Sequence, residues 1–351
     1  MLPPPHTPAT PDGRKRPGFT LIELLVSMTV LLMIMVLMLS IFSGISRTWL
    51  QSTRIIDTFQ GARAGFDRMT RLLSQATLNV YTGYDDPNAP TIYRRQSELA
   101  FNVLQAGSSG VSGSTTFGTG SGAGNTGGGT GHGVFFQVPV GVNLQADYRT
   151  LSQTLSSVGF SVRLVGDDTF RPAFLNGGGR PVTSRMRLME YITTSDRLIY
   201  GDFAVTSPIR WIDNMAGPGQ PAAPTAYQYP VADNIVWMCV WPKLSPTDTT
   251  LAPEYVYYSR KGATDTPQVL TANQLPPLVQ VTMVAIDERS ADRFPGTEFV
   301  TRILPSFNGT LADVKKYQDD INTVTGVLTT NRIAYRVFTT TVQMRESRWS
   351  Q

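Results

Sequence analysis

The chain has 351 residues, of which 41% are hydrophobic and 16% are charged, so it has enough apolar material for a substantial core. Its formal net charge is +4, and no basic patch interleaves with aromatic residues, which argues against binding to nucleic acid. The single cysteine, Cys239, excludes an intrachain disulfide, and with His6 and His132 as the only histidines, a histidine-based metal site or a Ser-His-Asp triad is nearly excluded. We therefore expect no cofactor and no metal.

Residues 1–18 have the composition of a leader peptide. Five prolines precede Asp12 and prevent a stable helix there. The segment then carries the basic cluster Arg14, Lys15 and Arg16 and ends at Gly18. Basic residues beside a membrane span favour the cytoplasmic side.

A long apolar stretch follows Gly18. Between Glu23 and Arg47 the sequence has no charged side chain, and a spanning helix needs ~20 apolar residues. We predict a transmembrane helix over 19–46 in the inner membrane, with the N-terminus cytoplasmic. The rest of the chain is then expected on the periplasmic side.

The segment Gly18-Phe19-Thr20-Leu21-Ile22-Glu23 resembles the cleavage and methylation motif of type IV pilins and type II secretion pseudopilins. The resemblance implies that a prepilin peptidase cuts after Gly18 and that the new N-terminal Phe19 is N-methylated. It also implies that Glu23, a costly carboxylate within the span, pairs with the amine of a neighbouring subunit's Phe19 during assembly.

Three other interpretations of this segment stay open. The stretch can be a secretory signal peptide with Gly44 and Ser46 as a cleavage pair, although its apolar run exceeds the usual ~7–15 residues. It can also be an unprocessed signal anchor. Glu23 alone can be a first-turn residue favoured by the helix dipole.

The helical pattern continues beyond the span. Apolar residues recur at alternating spacings of four and three, which predicts one stripe on a helix: Ile55, Phe59, Ala62, Phe66, Met69, Leu73, Ala76 and Val80. We predict one helix from about Thr20 to about Thr77, with 47–80 as its amphipathic continuation. Gly61 and Gly65 weaken it by ~1 kcal/mol each relative to alanine if they are exposed.

Two irregular segments follow. Thr82 to Pro90 reads as coil, in which Asp85, Asp86 and Asn88 are either turn residues or, less in keeping with the spacing of known calcium loops, oxygen ligands. Residues 107–133 are nearly all Gly, Ser, Thr and Asn and predict a flexible insert that cannot bury enough apolar surface to order itself.

Alternating apolar residues then predict strands at Ser97–Leu104, Val134–Val140, Val158–Val165, Arg185–Thr193, Ile235–Trp241, Leu278–Ile286 and Ile333–Met344. Ile235–Trp241 is apolar on both faces, so we expect a central strand covered by the long helix, with Cys239 as a small core residue. Ala312–Asp320 predicts a short helix whose charged residues form a solvated face. The fold class expected is α+β: a long N-terminal helix packed on an antiparallel sheet domain over 97–350.

Further resemblances refine this picture. Gln60 to Thr77 is similar to the helix segment of J-type minor pseudopilins. The segments Val231–Ser245, Pro276–Arg293 and Tyr335–Ser350 resemble the Verru_Chthon cassette protein C family of prepilin-like proteins. These resemblances imply a structural subunit that assembles with other pilin or pseudopilin subunits in a type II secretion or type IV pilus-like filament.

The sequence leaves two other function classes to consider, a binding module and an enzyme. A membrane-anchored extracytoplasmic binding module would need exposed aromatic residues such as Trp211, Trp241 or Trp349. An enzyme would need more than the acidic pairs Asp167–Asp168 and Asp287–Glu288, because no base, nucleophile or metal cluster completes a site. We predict that the chain is not an enzyme and that Gly18, Phe19 and Glu23 are its functional residues.

Overall fold

The computed structural model describes residues 20–86, 88–105, 131–143, 145–148, 150–167, 170–172, 174, 181–198, 211–212 and 226–350, with the backbone alone for 47–58 and 226–227. These residues form a long N-terminal helix and antiparallel sheets, so the predicted α+β class is confirmed. The chain divides into two compact units, Met1–Arg54 and Ile55–Gln351. The domain boundaries drawn from the sequence stay predictions.

Helix α1 spans Leu21–Ser74, close to the predicted bounds. In the second unit its buried residues follow the predicted stripe: Ala62, Phe66, Met69 and Leu73 are buried, as is Ala76, two residues beyond the end of the helix. The Phe66 ring lies 5.9 Å from that of Phe338. This half of α1 therefore packs its apolar side into the core of the second unit.

The described strands are β1 (Tyr81–Tyr84), β2 (Tyr93–Gln96), β3 (Asn102–Gln105), β4 (His132–Pro139), β5 (Leu155–Gly166), β6 (Ser184–Thr193), β7 (Ala226–Asp233), β8 (Ile235–Lys243), β9 (Tyr257–Tyr258), β10 (Leu278–Ile286) and β11 (Tyr335–Gln343). They form an antiparallel pair β1-β2, a three-stranded sheet β11-β10-β8 and a six-stranded sheet β7-β6-β5-β4-β3-β9. Only Asn234, with φ of 61°, separates β7 from β8, so the chain changes sheet at one residue.

Three helices follow β10 and precede β11 along the chain: α2 (Glu288–Arg293), α3 (Gly296–Glu298) and α4 (Tyr317–Thr330). Short helical turns occupy Ala146–Tyr148, Ser195–Arg197, Phe299–Ile303, Leu304–Phe307 and Val314–Lys316. The predicted helix near residue 312 thus begins as a turn and extends to Thr330. The prediction that its charged residues form a solvated face is wrong for Asp320. This residue is buried and accepts the Leu311 N–H at 2.9 Å.

The position of β8 differs from the prediction. All nine of its residues are buried, as its sequence indicates, but among the described strands it forms a ladder only with β10, which is the central strand of its sheet. The helix that reaches Trp241 of β8 is α4, whose Tyr317 ring lies 5.4 Å away. Apolar residues on both faces of a strand indicate that both faces are covered. They do not indicate whether both edges of the strand are paired with other strands. Cys239 is a buried core residue, as predicted, and burial raises the pKa of its thiol.

The outer edge of β8 is closed by residues next to the glycine-rich insert. Gly131 forms a parallel bridge with Met238, and the backbone N–H of Val240 donates to Nδ1 of His132 at 2.9 Å. His132 and Gly133 are the first two residues of β4, whereas the sequence places them in the insert. The rest of the insert, residues 107–130, lies outside the described residues.

Candidate functional site

The N-terminal part of α1 has the dimensions of a membrane span. Leu21–Ser46 covers 26 residues with a mean hydropathy of 2.8, and none of its most apolar window is buried. At 1.5 Å per residue this segment is about 39 Å long, more than the ~30 Å hydrocarbon core of a bilayer. Large apolar side chains that nothing in the described chain covers, such as Leu31 and Phe42, fit contact with lipid or with other apolar helices.

Glu23 lies in the first turn of this helix and closes a capping box with Thr20. The backbone N–H and the Oγ1 hydroxyl of Thr20 donate to Oε2 of Glu23 at 3.1 and 3.0 Å, and the Glu23 N–H donates to Thr20 Oγ1 at 3.4 Å. This reciprocal pair satisfies donors at the helix start and places a negative charge at the positive end of the dipole. Its sequence signal is threonine followed three residues later by glutamate, as in Thr20-Leu21-Ile22-Glu23.

The other two predicted site residues, Gly18 and Phe19, lie outside the described residues. Cleavage after Gly18 and N-methylation of Phe19 therefore stay predictions. The geometry at Thr20 and Glu23 defines the helix start immediately after them.

The side chains of Asp85 and Asp86 make the local hydrogen bonds that are typical of turn residues. Both carboxylate oxygens of Asp85 are occupied: Oδ1 accepts the N–H groups of Thr91 and Ile92, and Oδ2 accepts the Thr91 hydroxyl at 2.6 Å. Asp86 Oδ1 accepts the Asn88 N–H. The bonds from Thr91 hold the pKa of Asp85 below its ordinary value. No group of three potential metal-ligating side chains occurs in the described part of the chain.

The tryptophans proposed for a binding module are not exposed. Trp211 and Trp241 are 3% and 6% exposed, and Trp349 is half-buried. Trp211 packs edge-on against Phe135 at 6.1 Å. The Trp211 and Trp241 rings are thus used in packing.

The acidic residues considered as candidate enzyme residues form ion pairs or cap a helix where the structure describes them. Asp167 pairs with Arg171 at 2.6 Å, whereas Asp168 lies outside the described residues. Asp287 caps α2 by accepting the Ser290 N–H at 3.2 Å, and Glu288 pairs with Arg185.

Comparison with known proteins adds one match. The family model of the prokaryotic N-terminal methylation motif matches residues 13–39, the stretch that contains the basic cluster, Glu23 and much of the apolar helix. No curated protein and no solved structure matches the chain. The match supports a type IV pilin-like or pseudopilin protein, and together with the apolar helix it fits single-pass anchoring in the inner membrane.

Proposed function

We propose that the chain is a minor pseudopilin-like structural subunit of a type II secretion or type IV pilus-like filament. The observation that carries the proposal is the coincidence of the methylation motif over 13–39 with an exposed apolar helix that has Glu23 in its first turn. The similarity of Gln60 to Thr77 to J-type subunits, and of the later segments to Verru_Chthon cassette protein C, favours a minor subunit.

In this proposal prepilin peptidase cuts between Gly18 and Phe19 while the basic cluster is cytoplasmic. Phe19 is methylated, and the β-rich unit is periplasmic. The apolar helix then leaves the membrane by packing against the helices of other subunits. Glu23 guides this step by pairing with the amine of the neighbouring subunit's Phe19, because an apolar surrounding strengthens the attraction of opposite charges.

The capping box gives Glu23 a second role, so the test must separate charge pairing from capping. The full chain is co-expressed with a prepilin peptidase and the other subunits of a type II secretion system. Its incorporation into filaments is followed by crosslinking, for wild type, Glu23→Gln and Glu23→Ala. Glutamine keeps an oxygen that can accept from Thr20 and loses the charge.

We expect both variants to lose incorporation at least about tenfold, the effect of an interaction worth ~1.4 kcal/mol. Ser27→Ala is the matched control, since within the described part of the chain the Ser27 hydroxyl donates to carbonyl oxygens of its own helix, those of Glu23 and Leu24. Normal incorporation of Glu23→Gln would remove the charge-pairing role. Normal incorporation of both variants would contradict any role of Glu23 in assembly.

A further inference from the structure

The outer edge of β11 differs from the other outer edge of the same sheet. On the β8 side, Gly131 and His132 occupy the edge through Met238 and Val240. On the β11 side, the sheet order ends with β11 itself. This strand is nine residues long and mostly exposed, and no described strand pairs with its outer edge.

The register shows which backbone groups of β11 point outward. The bonds from Asp287 N to Ala334 O and from Met344 N to Pro277 O mark both ends of the β10–β11 ladder as hydrogen-bonded pairs. The pairing runs between them without a register shift. Because hydrogen-bonded pairs alternate in an antiparallel ladder, the even-numbered residues 336–342 point their N–H and C=O groups at β10.

The odd-numbered residues of β11 therefore point their backbone groups away from the sheet: Tyr335, Val337, Thr339, Thr341 and Gln343. Among the described residues, no backbone N–H or C=O group of these five residues has a hydrogen-bond partner. The next outward group, the N–H of Arg345, is occupied by the carbonyl of Ser74 at 3.2 Å. The open edge thus ends at Arg345, whose N–H is bonded to the last residue of α1. It comprises the five odd-numbered residues from 335 to 343.

The charge beside this edge is positive and unbalanced. Residues 332–348 contain four arginines and one acid, a net charge of 4 − 1 = +3: Arg332, Arg336, Arg345 and Arg348 against Glu346. All four arginines are exposed. Within the described chain none forms an ion pair, although ion pairs tie Arg68, Arg171 and Arg185 to carboxylates. The Arg336 guanidinium instead lies 5.6 Å from the Phe338 ring.

We propose that the β11 edge is a docking site for an extended acidic segment of a partner protein, which adds to the three-stranded sheet as a further strand. An exposed edge provides main-chain hydrogen bonds for such a segment, and the four arginines select its charge. A second copy of this chain is the disfavoured occupant, because edge-to-edge pairing would bring together two stretches of +3 each. The proposal does not depend on the N-terminal processing, since it concerns the second unit alone.

The test uses the full chain in an uncharged detergent and three nine-residue peptides, matched in length to β11. The first alternates glutamate with valine and threonine, the second replaces each glutamate by lysine, and the third is the acidic peptide with alternate backbone nitrogens methylated. We expect the acidic peptide to bind at least about tenfold more tightly than the lysine peptide. Methylation should abolish binding, because it removes the donors that pair with the edge.

Amide exchange locates the binding. In the free chain the amides of Val337, Thr339, Thr341 and Gln343 should exchange fast, whereas those of the even positions between them are protected by β10. The acidic peptide should slow the odd amides. Binding with no protection at the odd positions, or binding that methylation leaves unchanged, would overturn the proposal.

Variants of the chain complete the test. Arg336→Glu with Arg345→Glu should weaken the acidic peptide about tenfold or more and favour the lysine peptide. Thr339→Pro removes one outward N–H and should weaken binding, with Thr339→Val as its control. Equal binding of the acidic and lysine peptides would overturn the proposal, as would self-association through the edge that Thr339→Pro abolishes. If Thr339→Pro fails to fold, the methylated peptide on the wild-type chain still decides.

Discussion

Two glycines of α1, four residues apart, have opposite surroundings. A Cβ added to Gly61 would meet no atom within 4 Å, whereas one added to Gly65 would come within 2.9 Å of the Ala232 Cβ in β7. The sequence treats both positions alike, as weak points of a helix. The structure instead makes Gly65 the place where α1 approaches β7 closely.

Replacing each glycine by alanine should therefore have opposite effects. Gly61→Ala should raise the free energy of unfolding by up to about 1 kcal/mol, the helix-propensity gain at an open position. Gly65→Ala should lower it by about 1 kcal/mol, because the cost of overpacking exceeds that gain. Chemical unfolding of the full chain in detergent checks both, and equal gains from the two variants would contradict the close contact with β7.

His132 is fully buried, and burial lowers its pKa to about 3. The unfolded side chain has a pKa of ~6.5. Between these two values the unfolded chain binds a proton that the folded chain does not. The free energy of unfolding should therefore rise with pH from about 3 to about 6.5 and lose this contribution as pH falls through that window.

His132→Gln should remove the titration while offering an amide oxygen to the Val240 N–H. Carboxylates also titrate in this window, so the informative quantity is the difference between the pH profiles of wild type and variant. We expect the wild type to be the steeper of the two between pH 4 and pH 6.5. Parallel profiles would show that His132 is not held neutral in the folded chain.

At the scale of elements, α1 is attached to the six-stranded sheet by an ion pair. Arg68 donates through Nε and Nη2 to the two carboxylate oxygens of Glu190 at 2.7 and 2.8 Å, and the Glu190 side chain is only 4% exposed. A second pair on the same helix, Arg63 with Asp67, is 3.8 Å long and exposed on both sides. Asp67 has an arginine four residues away on each side, Arg63 and Arg71, so the i, i+4 spacing alone does not select which of them it pairs with.

Replacing each arginine in turn should show that the two ion pairs contribute differently to the free energy of unfolding. Arg68→Ala leaves a buried carboxylate without its partner and should cost about 3 kcal/mol. Arg63→Ala should change the free energy of unfolding by less than about 1 kcal/mol. Thermal or chemical unfolding measures both, and a loss of similar size from each would contradict the burial of Glu190.

The strands that the sequence predicts well are those with apolar alternation. β10 has the predicted bounds, and β4, β5, β6 and β11 agree within a few residues. β1 and β2 are not predicted, because their residues, exposed in β1 and mostly half-buried in β2, form a two-stranded ribbon without alternating apolar residues. β7 was missed because of Pro230, which the sheet accommodates at a register shift opposite Leu188 and Met189.

At the scale of the whole molecule, the features that could be predicted are those that depend on residues close together in the sequence. The cleavage motif, the apolar span and the position of Glu23 are linear signals, and the capping partner Thr20 lies three residues away. Pairing between distant strands is not encoded in this way. The exchange of sheets at Asn234 and the closure of the β8 edge by His132 depend on segments separated by up to 108 residues, so sequence periodicity could not place them.

The central claim is that the chain matures by cleavage between Gly18 and Phe19. The most direct test co-expresses the full chain with a prepilin peptidase and determines the N-terminus of the membrane-bound product by mass spectrometry. We expect a product that begins with N-methylated Phe19, produced only when the peptidase is active. An intact Met1 in the presence of active peptidase, or a product that begins near Thr48, would contradict it.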